Sequence, residues 1–290
     1  MMRIFMRNAV FVAALLMEAA SCRAAPANFS IDALYATPAI AGTAPEGATW
    51  SPSGRYLAFA WSDRGERCRD VWIYDRVTRT KRALGSYAAT AVPQSARPLM
   101  TCGVTMLAWL GNDRVAFVAG GVLTTLDLHG HRAAGILSGR AVTMMRTSPD
   151  GHALALVADG ALFVMDARDG TLRSVMDGTT DDAVTDLQWD PASAHLAFVV
   201  SDTRAMPQIT IDFVSGGVAR HATVRRAFPG QPNTRFRAGI VAVGGGSPAW
   251  LARGNAEDPI WNLAFSPDGG ALALGASDLQ IKHHEIDVYD

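Results

Sequence analysis

Large and small apolar residues alternate in five short segments of the chain, and each segment follows a turn-forming sequence. Three segments follow turns of the Ser-Pro-x-Gly type: Ser51–Gly54 before Leu57-Ala58-Phe59, Ser148–Gly151 before Leu154-Ala155-Leu156, and Ser266–Gly269 before Leu272-Ala273-Leu274. Two weaker copies are Trp109–Asp113 before Val115-Ala116-Phe117, and Trp189–Ala192 before Leu196-Ala197-Phe198. Proline and glycine favour chain reversal, and a period of two predicts strands with large side chains on one face and small ones on the other.

A second apolar strand follows each of these segments. These strands are Val71–Asp75, Leu123–Asp127, Leu162–Asp166, Ile209–Asp212 and Ile286–Asp290. Strand pairs that recur about every 40 residues are typical of β-propeller blades. We therefore predict an all-β chain with about five to six blades of four-stranded antiparallel sheet, of the WD40 or TolB kind. Four tryptophans recur at blade positions and are expected in the core: Trp50, Trp109, Trp189 and Trp261.

The composition fits a globular protein. The chain has 290 residues, of which 49% are hydrophobic and 18% charged, and its formal net charge is −1. It has no basic stripe of the kind that binds nucleic acid, so no nucleic-acid partner is expected. After the N-terminus no apolar run reaches the roughly 18 residues of a transmembrane helix. Since Gly244–Gly246 opens no helix and no Cys or His cluster occurs, neither a cofactor nor a metal is expected.

The N-terminus has the order of an export signal. Arg3 and Arg7 precede the apolar stretch 9–17, and small residues follow at 19–25. This order predicts a signal peptide over residues 1–24, a lead-in segment over 25–45 and a propeller over 46–290. The mature protein is then periplasmic or secreted. Cys22 leaves a second hypothesis open, because Ala19-Ala20-Ser21-Cys22 partly matches a lipoprotein cleavage box in which the cysteine is acylated.

Two cysteines remain after cleavage at Ala24, namely Cys68 and Cys102. In an exported protein an even pair can form a disulfide. Two unpaired thiols are the alternative, because the distance between the residues is not encoded in their spacing.

The second half of the chain carries more specific segments. In order along the chain they are Leu187–Pro191, Leu196-Ala197-Phe198, Pro207 before Ile209–Phe213, Phe228–Asn233, Val241-Ala242-Val243 and Trp261–Gly269. With these segments the chain resembles the N-terminal domain of the dipeptidyl peptidase IV branch of the prolyl oligopeptidase family of serine peptidases. The resemblance covers most of residues 46–290, and its family-specific part runs from about 187 to 269. The aromatic-Pro segment at 228–233 is contracted relative to the family pattern.

The resemblance implies a role for two acidic residues. In that family the propeller gates access to an α/β-hydrolase domain, and paired glutamates from one blade bind the free amino group of the peptide substrate. Asp181 and Asp182 are the nearest counterparts in this chain, although each is one methylene shorter than glutamate. The alternative interpretation is a solvated acidic turn.

The catalytic part of such an enzyme is missing from the sequence. A nucleophile elbow requires Gly-x-Ser-x-Gly, which occurs nowhere in the chain. The nearest segment, Gly245–Ala249, lacks the last glycine and carries Pro248 where a backbone donor is required. We therefore expect no catalytic residues, and a non-catalytic propeller resembling the substrate-gating part of an exported peptidase, with enzymatic activity left open.

Three kinds of partner are expected: a peptide substrate, a protein partner, or a separately encoded α/β-hydrolase domain. The alternative function is a stand-alone periplasmic propeller that binds a protein. The sequence stops at the end of a strand, at Asp290, so a truncated array with an open blade edge is also expected. Such an edge would favour self-association.

We predict that the purified chain is not labelled by a fluorophosphonate probe and does not hydrolyse X-Pro or X-Ala dipeptide amides. Without an elbow serine and its base, no residue can form an acyl-enzyme. Mass spectrometry of the probe-treated chain, beside a known serine hydrolase as positive control, tests this. Labelling of one serine that disappears when that serine is changed to Ala would contradict it.

Overall fold

The computed structural model describes residues 30–32, 42–66, 68–85, 103–137, 139–215 and 217–290. Within this part of the chain, only Ile31 and Asp32 are helical, and 21 strands account for the regular structure. No helix in the described ranges has the length and apolar character that a membrane crossing requires. The predicted signal peptide 1–24 and Cys22 lie outside the described residues.

The strands form five antiparallel sheets and one separate hairpin. Sheet 1 contains β1 (Glu46–Trp50), β2 (Tyr56–Trp61), β3 (Asp70–Asp75) and β4 (Thr80–Gly85). Sheet 2 contains β5 (Val104–Leu110), β6 (Arg114–Ala119), β7 (Val122–Asp127) and β8 (Arg132–Ile136). Sheet 3 contains β9 (Val142–Thr147), β10 (Ala153–Ala158), β11 (Ala161–Asp166) and β12 (Leu172–Met176).

Sheets 4 and 5 depart from this simple order. Sheet 4 contains β13 (Asp182–Trp189), β14 (His195–Asp202), β17 (Arg235–Ala242) and β18 (Ala249–Trp250). Sheet 5 contains the three strands β19 (Ile260–Phe265), β20 (Leu272–Ser277) and β21 (His284–Tyr289). The hairpin of β15 (Gln208–Ser215) and β16 (Val218–Arg225) is inserted between β14 and β17. The predicted all-β propeller architecture is confirmed.

The prediction for Ile209–Asp212 is wrong in one respect. This segment was expected to be the paired strand of its blade, but it lies in β15 and pairs with β16, while β14 pairs with β17. The alternation of apolar and polar residues correctly indicated a strand. Alternation does not identify the partner strand, because any strand with a complementary register satisfies it.

The turns reverse the chain through the hydrogen bonds that their residues predict. After β9, the Ser148 hydroxyl donates to Asp150 Oδ1 (2.6 Å) and accepts from the Ala153 N–H (2.9 Å). The Gly151 N–H donates to the Ser148 carbonyl and closes the turn, and Gly151 has a φ of +74°. In sheet 4 Asp190 replaces the serine and accepts from the Ala194 N–H (2.7 Å). Each turn therefore delivers the chain into the second strand of its sheet.

Successive sheets pack face to face, and the large and small residues of the second strands divide between the two faces. In sheet 1, Ala58 and Ala60 join Val115 and Phe117 of sheet 2 in one buried cluster. Equivalent clusters lie between sheets 2 and 3, 3 and 4, and 4 and 5. Along the second strands of sheets 2, 3 and 4 the larger residues face the preceding sheet, and alanine or valine faces the following one. This is the two-faced packing that the alternation predicted.

Two of the four tryptophans bridge neighbouring sheets. The fully buried Trp109 donates from Nε1 to the Thr49 carbonyl of sheet 1 (2.9 Å), and the buried Trp189 donates to the Arg146 carbonyl of sheet 3 (2.9 Å). These contacts connect first strands, which lie innermost because the first strands of successive sheets contact one another. The core positions predicted for Trp109 and Trp189 are confirmed.

The core positions predicted for Trp50 and Trp261 are wrong. Trp50 is 50% exposed and Trp261 is 56% exposed. Trp50 occupies the position equivalent to Trp109, but among the described sheets none precedes sheet 1 to cover it. Trp261 is out of register, because Phe265 directly precedes the turn in β19 and takes the position that tryptophan holds elsewhere.

Cys68 is disulfide-bonded. The neighbouring residue Arg69 forms a parallel bridge with Gly103. Cys102 lies outside the described residues, and its pairing with Cys68 stays a prediction.

Two glycines from different sheets lie in backbone contact. Gly160, in the β10–β11 turn, has a φ of +83°. Gly178 lies in the loop before β13, and a Cβ added there would lie 2.2 Å from the Gly160 carbonyl oxygen. The contact fixes the loop before β13 against sheet 3.

We predict that Gly178→Ala destabilises the protein by about 1–3 kcal/mol, because backbone atoms must move to admit the methyl group. Gly254→Ala is the matched control, since its Cβ would meet no atom within 4 Å and its φ is not positive. That variant should stay within about 0.5 kcal/mol of the parent. Urea unfolding followed by tryptophan fluorescence measures both, and equal stability of the two variants would contradict the close approach.

Candidate functional site

Asp181 and Asp182 lie in a tight turn at the start of β13. The turn is closed by hydrogen bonds from the Thr179 N–H to the Asp182 carbonyl (3.0 Å) and from the Asp182 N–H to the Thr179 hydroxyl (3.1 Å). The Val184 N–H donates to the Gly160 carbonyl (3.0 Å), which ties the turn to sheet 3. Because the two aspartates lie at the start of β13, an innermost strand, they lie at the end of the sheet opposite its turn at Asp190.

Asp182 faces another carboxylate across the sheet. The register of β13 and β14 places it directly opposite Asp202, and like charges in that relation repel. Arg204 compensates, because its Nη2 lies 2.6 Å from Asp202 Oδ2 and 3.3 Å from Asp182 Oδ2. Arg237 adds a second cation, with Nη2 2.8 Å and 2.9 Å from the two oxygens of Asp182.

Asp181 has a different partner. Arg225, the last residue of β16, donates from Nη2 to Asp181 Oδ2 (2.9 Å). This hydrogen bond is the main reason why the pKa of Asp181 is lowered from its usual value. The other Asp181 oxygen has only the Thr203 hydroxyl at 3.5 Å, and the side chain is 41% exposed. Asp181 Oδ1 can therefore accept further hydrogen bonds, whereas both oxygens of Asp182 already accept from Arg237.

Three aspartates and three arginines thus form one balanced group, which we call the charge cluster: Asp181, Asp182, Asp202, Arg204, Arg225 and Arg237. Arg204 binds Asp202 with two nitrogens, Nε at 2.8 Å and Nη2 at 2.6 Å. This two-fold hydrogen bond lowers the pKa of Asp202 to about 2. Arg225 also donates from Nη1 to the Met206 carbonyl (3.0 Å), so the cluster holds the base of the β15–β16 hairpin.

The sequence identified the two aspartates but none of the arginines. The arginines lie in the β14–β15 loop, at the end of β16 and in β17. They reach the aspartates only because the hairpin returns the chain to its starting point. The spacing of these residues carries no signal of that return.

A cavity of about 320 Å³ lies beside the acidic turn. It lies between β9 and β13, and Thr143, Met144, Thr180 and Val184 contribute to its lining. Ala183 lines it as well, and Thr180 and Ala183 flank the two aspartates in the sequence. The site therefore combines a small, mainly apolar cavity with a neighbouring carboxylate that can accept further hydrogen bonds.

Chemically, the site can accept a cationic group. An ammonium offers three donors, and a carboxylate compensates its desolvation. Within the described ranges, no three His, Cys, Asp or Glu side chains converge as a metal site would require. The amine-binding role of Asp181 and Asp182 stays a prediction, with the added finding that both carboxylates are already paired with arginine.

Comparison with known proteins gives similarity of fold. Neither a scan against protein-family models nor a search of curated proteins gave a match. The solved dipeptidyl peptidase 4 of Porphyromonas gingivalis superposes with a TM-score of 0.62 at 16% identity, over 83% of this chain and 37% of that one. A putative dipeptidyl aminopeptidase IV of Bacteroides ovatus gives a TM-score of 0.50 at 14% identity, over 84% of this chain and 35% of that one.

The chain thus spans little more than a third of the length of these two solved structures. The resemblance inferred from the sequence is confirmed at the level of the fold. TolB of Acinetobacter baumannii also matches, at 12% identity over 85% of this chain and 55% of that one, but its TM-score of 0.43 is too low to carry an argument.

We predict that Asp202→Asn lowers the stability of the protein by about 1 kcal/mol at pH 7, because the substitution removes the bidentate ion pair with Arg204. The pKa of Asp202 is about 2 in the folded state and about 3.9 in the unfolded chain, so its contribution is complete above the latter value. It disappears as the pH falls from about 4 to 2. The free energies of unfolding of parent and variant should converge over that range. Asp212→Asn, on the exposed hairpin, is the control and should match the parent at pH 7.

Proposed function

We propose that the chain is a non-catalytic propeller domain that gates substrate access to an exported serine peptidase similar to dipeptidyl peptidase IV. The α/β-hydrolase part would be supplied by the remainder of a longer protein or by a separate chain. The observation that carries the proposal is the fold, which superposes on the Porphyromonas gingivalis enzyme with a TM-score of 0.62 over 83% of this chain. The predicted signal peptide supports export.

The location of the charge cluster supports the same function. A gate must contact substrate at the channel, and Asp181 lies at the end of an innermost strand beside a cavity. Its Oδ1 faces only a weak hydroxyl contact, so an incoming ammonium could bind there without displacing Arg225. We therefore assign the free amino group of a peptide to Asp181 rather than to Asp182.

Arg225 has a positioning role in this proposal. It fixes Asp181 Oδ2 and lowers the pKa of the carboxyl group, so the carboxylate stays ionised in mildly acidic solution. It also partly neutralises the carboxylate, so binding of a lone amine should be weak. The apolar cavity next to Thr180 would then contribute by accepting a small side chain of the same peptide.

Calorimetric titration of the full chain with a short X-Pro peptide tests the proposal. The peptide with a free N-terminus should bind, and its N-acetylated form should bind at least about tenfold more weakly, because acetylation removes the charge. Asp181→Asn should weaken the binding of the peptide with a free N-terminus by a similar factor. Asp212→Asn, which removes an exposed carboxylate far along the hairpin, should leave the affinity unchanged.

Equal affinity for the free and acetylated peptides would contradict amine recognition. Loss of binding in Asp212→Asn as well would indicate a general effect of net charge rather than a site. Circular dichroism of each variant confirms that the sheets are retained.

A second candidate function is a stand-alone propeller that binds a protein partner. The β15–β16 hairpin favours it, because it exposes apolar side chains along both strands: Ile211, Phe213, Val214, Val218 and Val224. A two-stranded ribbon is marginally stable alone in water, so a partner surface would stabilise it. If the peptide titration fails, this alternative is the better account of the molecule.

A further inference from the structure

A further carboxylate lines the cavity beside the acidic turn. Asp159 lies in the two-residue turn between β10 and β11, and it lines this cavity together with Thr180, the residue before Asp181. Asp159 belongs to sheet 3, whereas Thr180 belongs to the loop before sheet 4. The cavity therefore lies beside acidic residues from two different parts of the fold.

Hydrogen bonds fix the position of Asp159. Its φ is +48°, its N–H donates to the Ala141 carbonyl (3.1 Å), and its Oδ1 accepts from the Ala141 N–H (3.0 Å). The next residue, Gly160, accepts from the Val184 N–H of sheet 4 (3.0 Å). Because the turn is held from both sides, its carboxylate is in place before a ligand binds.

The turn itself does not require a charge at this position. The corresponding β6–β7 turn of sheet 2 is Gly120-Gly121, and two-residue hairpin turns favour Gly-Gly and Asn-Gly as well as Asp-Gly. Only Oδ1 of Asp159 is used in the turn, and no donor among the described residues binds Oδ2. Each aspartate of the charge cluster lies against an arginine, whereas Asp159 forms no ion pair with a described residue. The described part of the chain therefore leaves the charge of Asp159 uncompensated.

The rest of the lining is suited to an aliphatic chain. Met144 and Val184 contribute apolar side chains, and Ala141 and Ala183 contribute methyl groups. The volume of about 320 Å³ is near the lower end of the range of about 300–1,000 Å³ for ligand sites, so the cavity takes one side chain rather than a whole peptide. A lysine side chain combines an apolar stem, which packs along apolar surface, with a charged end that a carboxylate can bind.

The one unused oxygen of Asp159 favours lysine over arginine. A guanidinium pairs best with a carboxylate through two parallel N–H···O bonds, one to each oxygen. Because Oδ1 already accepts from Ala141, only Oδ2 is available for a ligand. An ammonium is a compact charge with three donors, and the hydroxyl of Thr143, which also lines the cavity, is a further acceptor.

We propose that this cavity binds the side chain of a lysine at the first position of a peptide, and that Asp159 selects it over a neutral chain of the same length. The lysine site rests on the proposed function in that its ligand is a peptide whose amino group binds Asp181. Selection of the side chain depends on a different carboxylate, so the two sites can be tested separately.

Calorimetric titration of the full chain at pH 7 tests the lysine site with two peptides, Lys-Pro-Leu and its analogue in which norleucine replaces lysine. The parent chain should bind the lysine peptide at least about tenfold more tightly, because only its side chain carries a charge for Asp159. Asp159→Asn keeps an oxygen for the Ala141 N–H and a sequence that suits the turn. This variant should bind both peptides with the affinity that the parent has for the norleucine peptide.

Asp169→Asn is the matched control. Asp169 also precedes a glycine in a hairpin turn of sheet 3, between β11 and β12 at the other end of the sheet, and it does not line this cavity. The substitution changes the net charge equally and should leave the lysine preference intact. Asp159→Gly gives the Gly-Gly turn that sheet 2 already contains, and it should lose the preference as Asp159→Asn does.

N-acetylated forms of both peptides separate the lysine site from the amine site. Acetylation, like Asp181→Asn, should weaken both peptides by the same factor and leave the ratio of their affinities unchanged. If acetylation has no effect while the lysine preference still depends on Asp159, amine recognition is contradicted and the lysine site is supported.

Three results would overturn the lysine site. They are equal affinity of the parent for the lysine and norleucine peptides, loss of the preference in Asp169→Asn as well as in Asp159→Asn, and no binding of the lysine peptide in either the free or the acetylated form. Circular dichroism of each variant confirms that a loss of preference is not a loss of fold.

Discussion

The packing of large side chains in the second strand of one sheet onto alanine and valine in the second strand of the preceding sheet is the constraint on which this molecule depends. A sheet in such a stack has no polar face, because both of its faces are buried. Ala155 of sheet 3 faces sheet 4, while its neighbours Leu154 and Leu156 face sheet 2. A large residue at the alanine position would separate two sheets, and a small one at the leucine positions would leave a cavity. Sheets must therefore stack in one direction.

That direction gives the stack two different ends. The outer face of sheet 1 carries tryptophans and Phe59, which is 7% exposed, and that of sheet 5 carries alanine, glycine, isoleucine and valine. Neither end resembles an ordinary solvent-facing sheet surface, on which polar residues alternate with apolar ones. The ends carry the same kinds of residue as the buried interfaces.

The charge cluster neutralises like charges that the pairing of β13 with β14 brings together. Asp182 and Asp202 stand opposite one another on paired strands, and the arginines that neutralise them also fix the base of the inserted hairpin. Asp181 and Asp182 were singled out by the resemblance, as the nearest counterparts of the paired glutamates of that family. Its arginines were not, since they come from three later elements and meet the turn only through the fold. The same reason explains why Ile209–Asp212 was correctly predicted as a strand but given the wrong partner.

The sequence by itself determined the five repeats, the reversal at each Ser-Pro-x-Gly turn and the two-faced strands, because these depend on φ preferences and on the alternation of side-chain size within about ten residues. It also shows that Gly-x-Ser-x-Gly does not occur among the 290 residues. Only the tertiary structure decided which strands pair, which tryptophans are buried and which cations meet Asp181. Trp109 and Trp50 occupy equivalent positions in the first strands of their sheets, yet one is buried and the other half exposed. The difference is that sheet 1 precedes the sheet of Trp109, whereas no sheet in the described residues precedes sheet 1. Burial by a neighbouring element is not a property of the local chain.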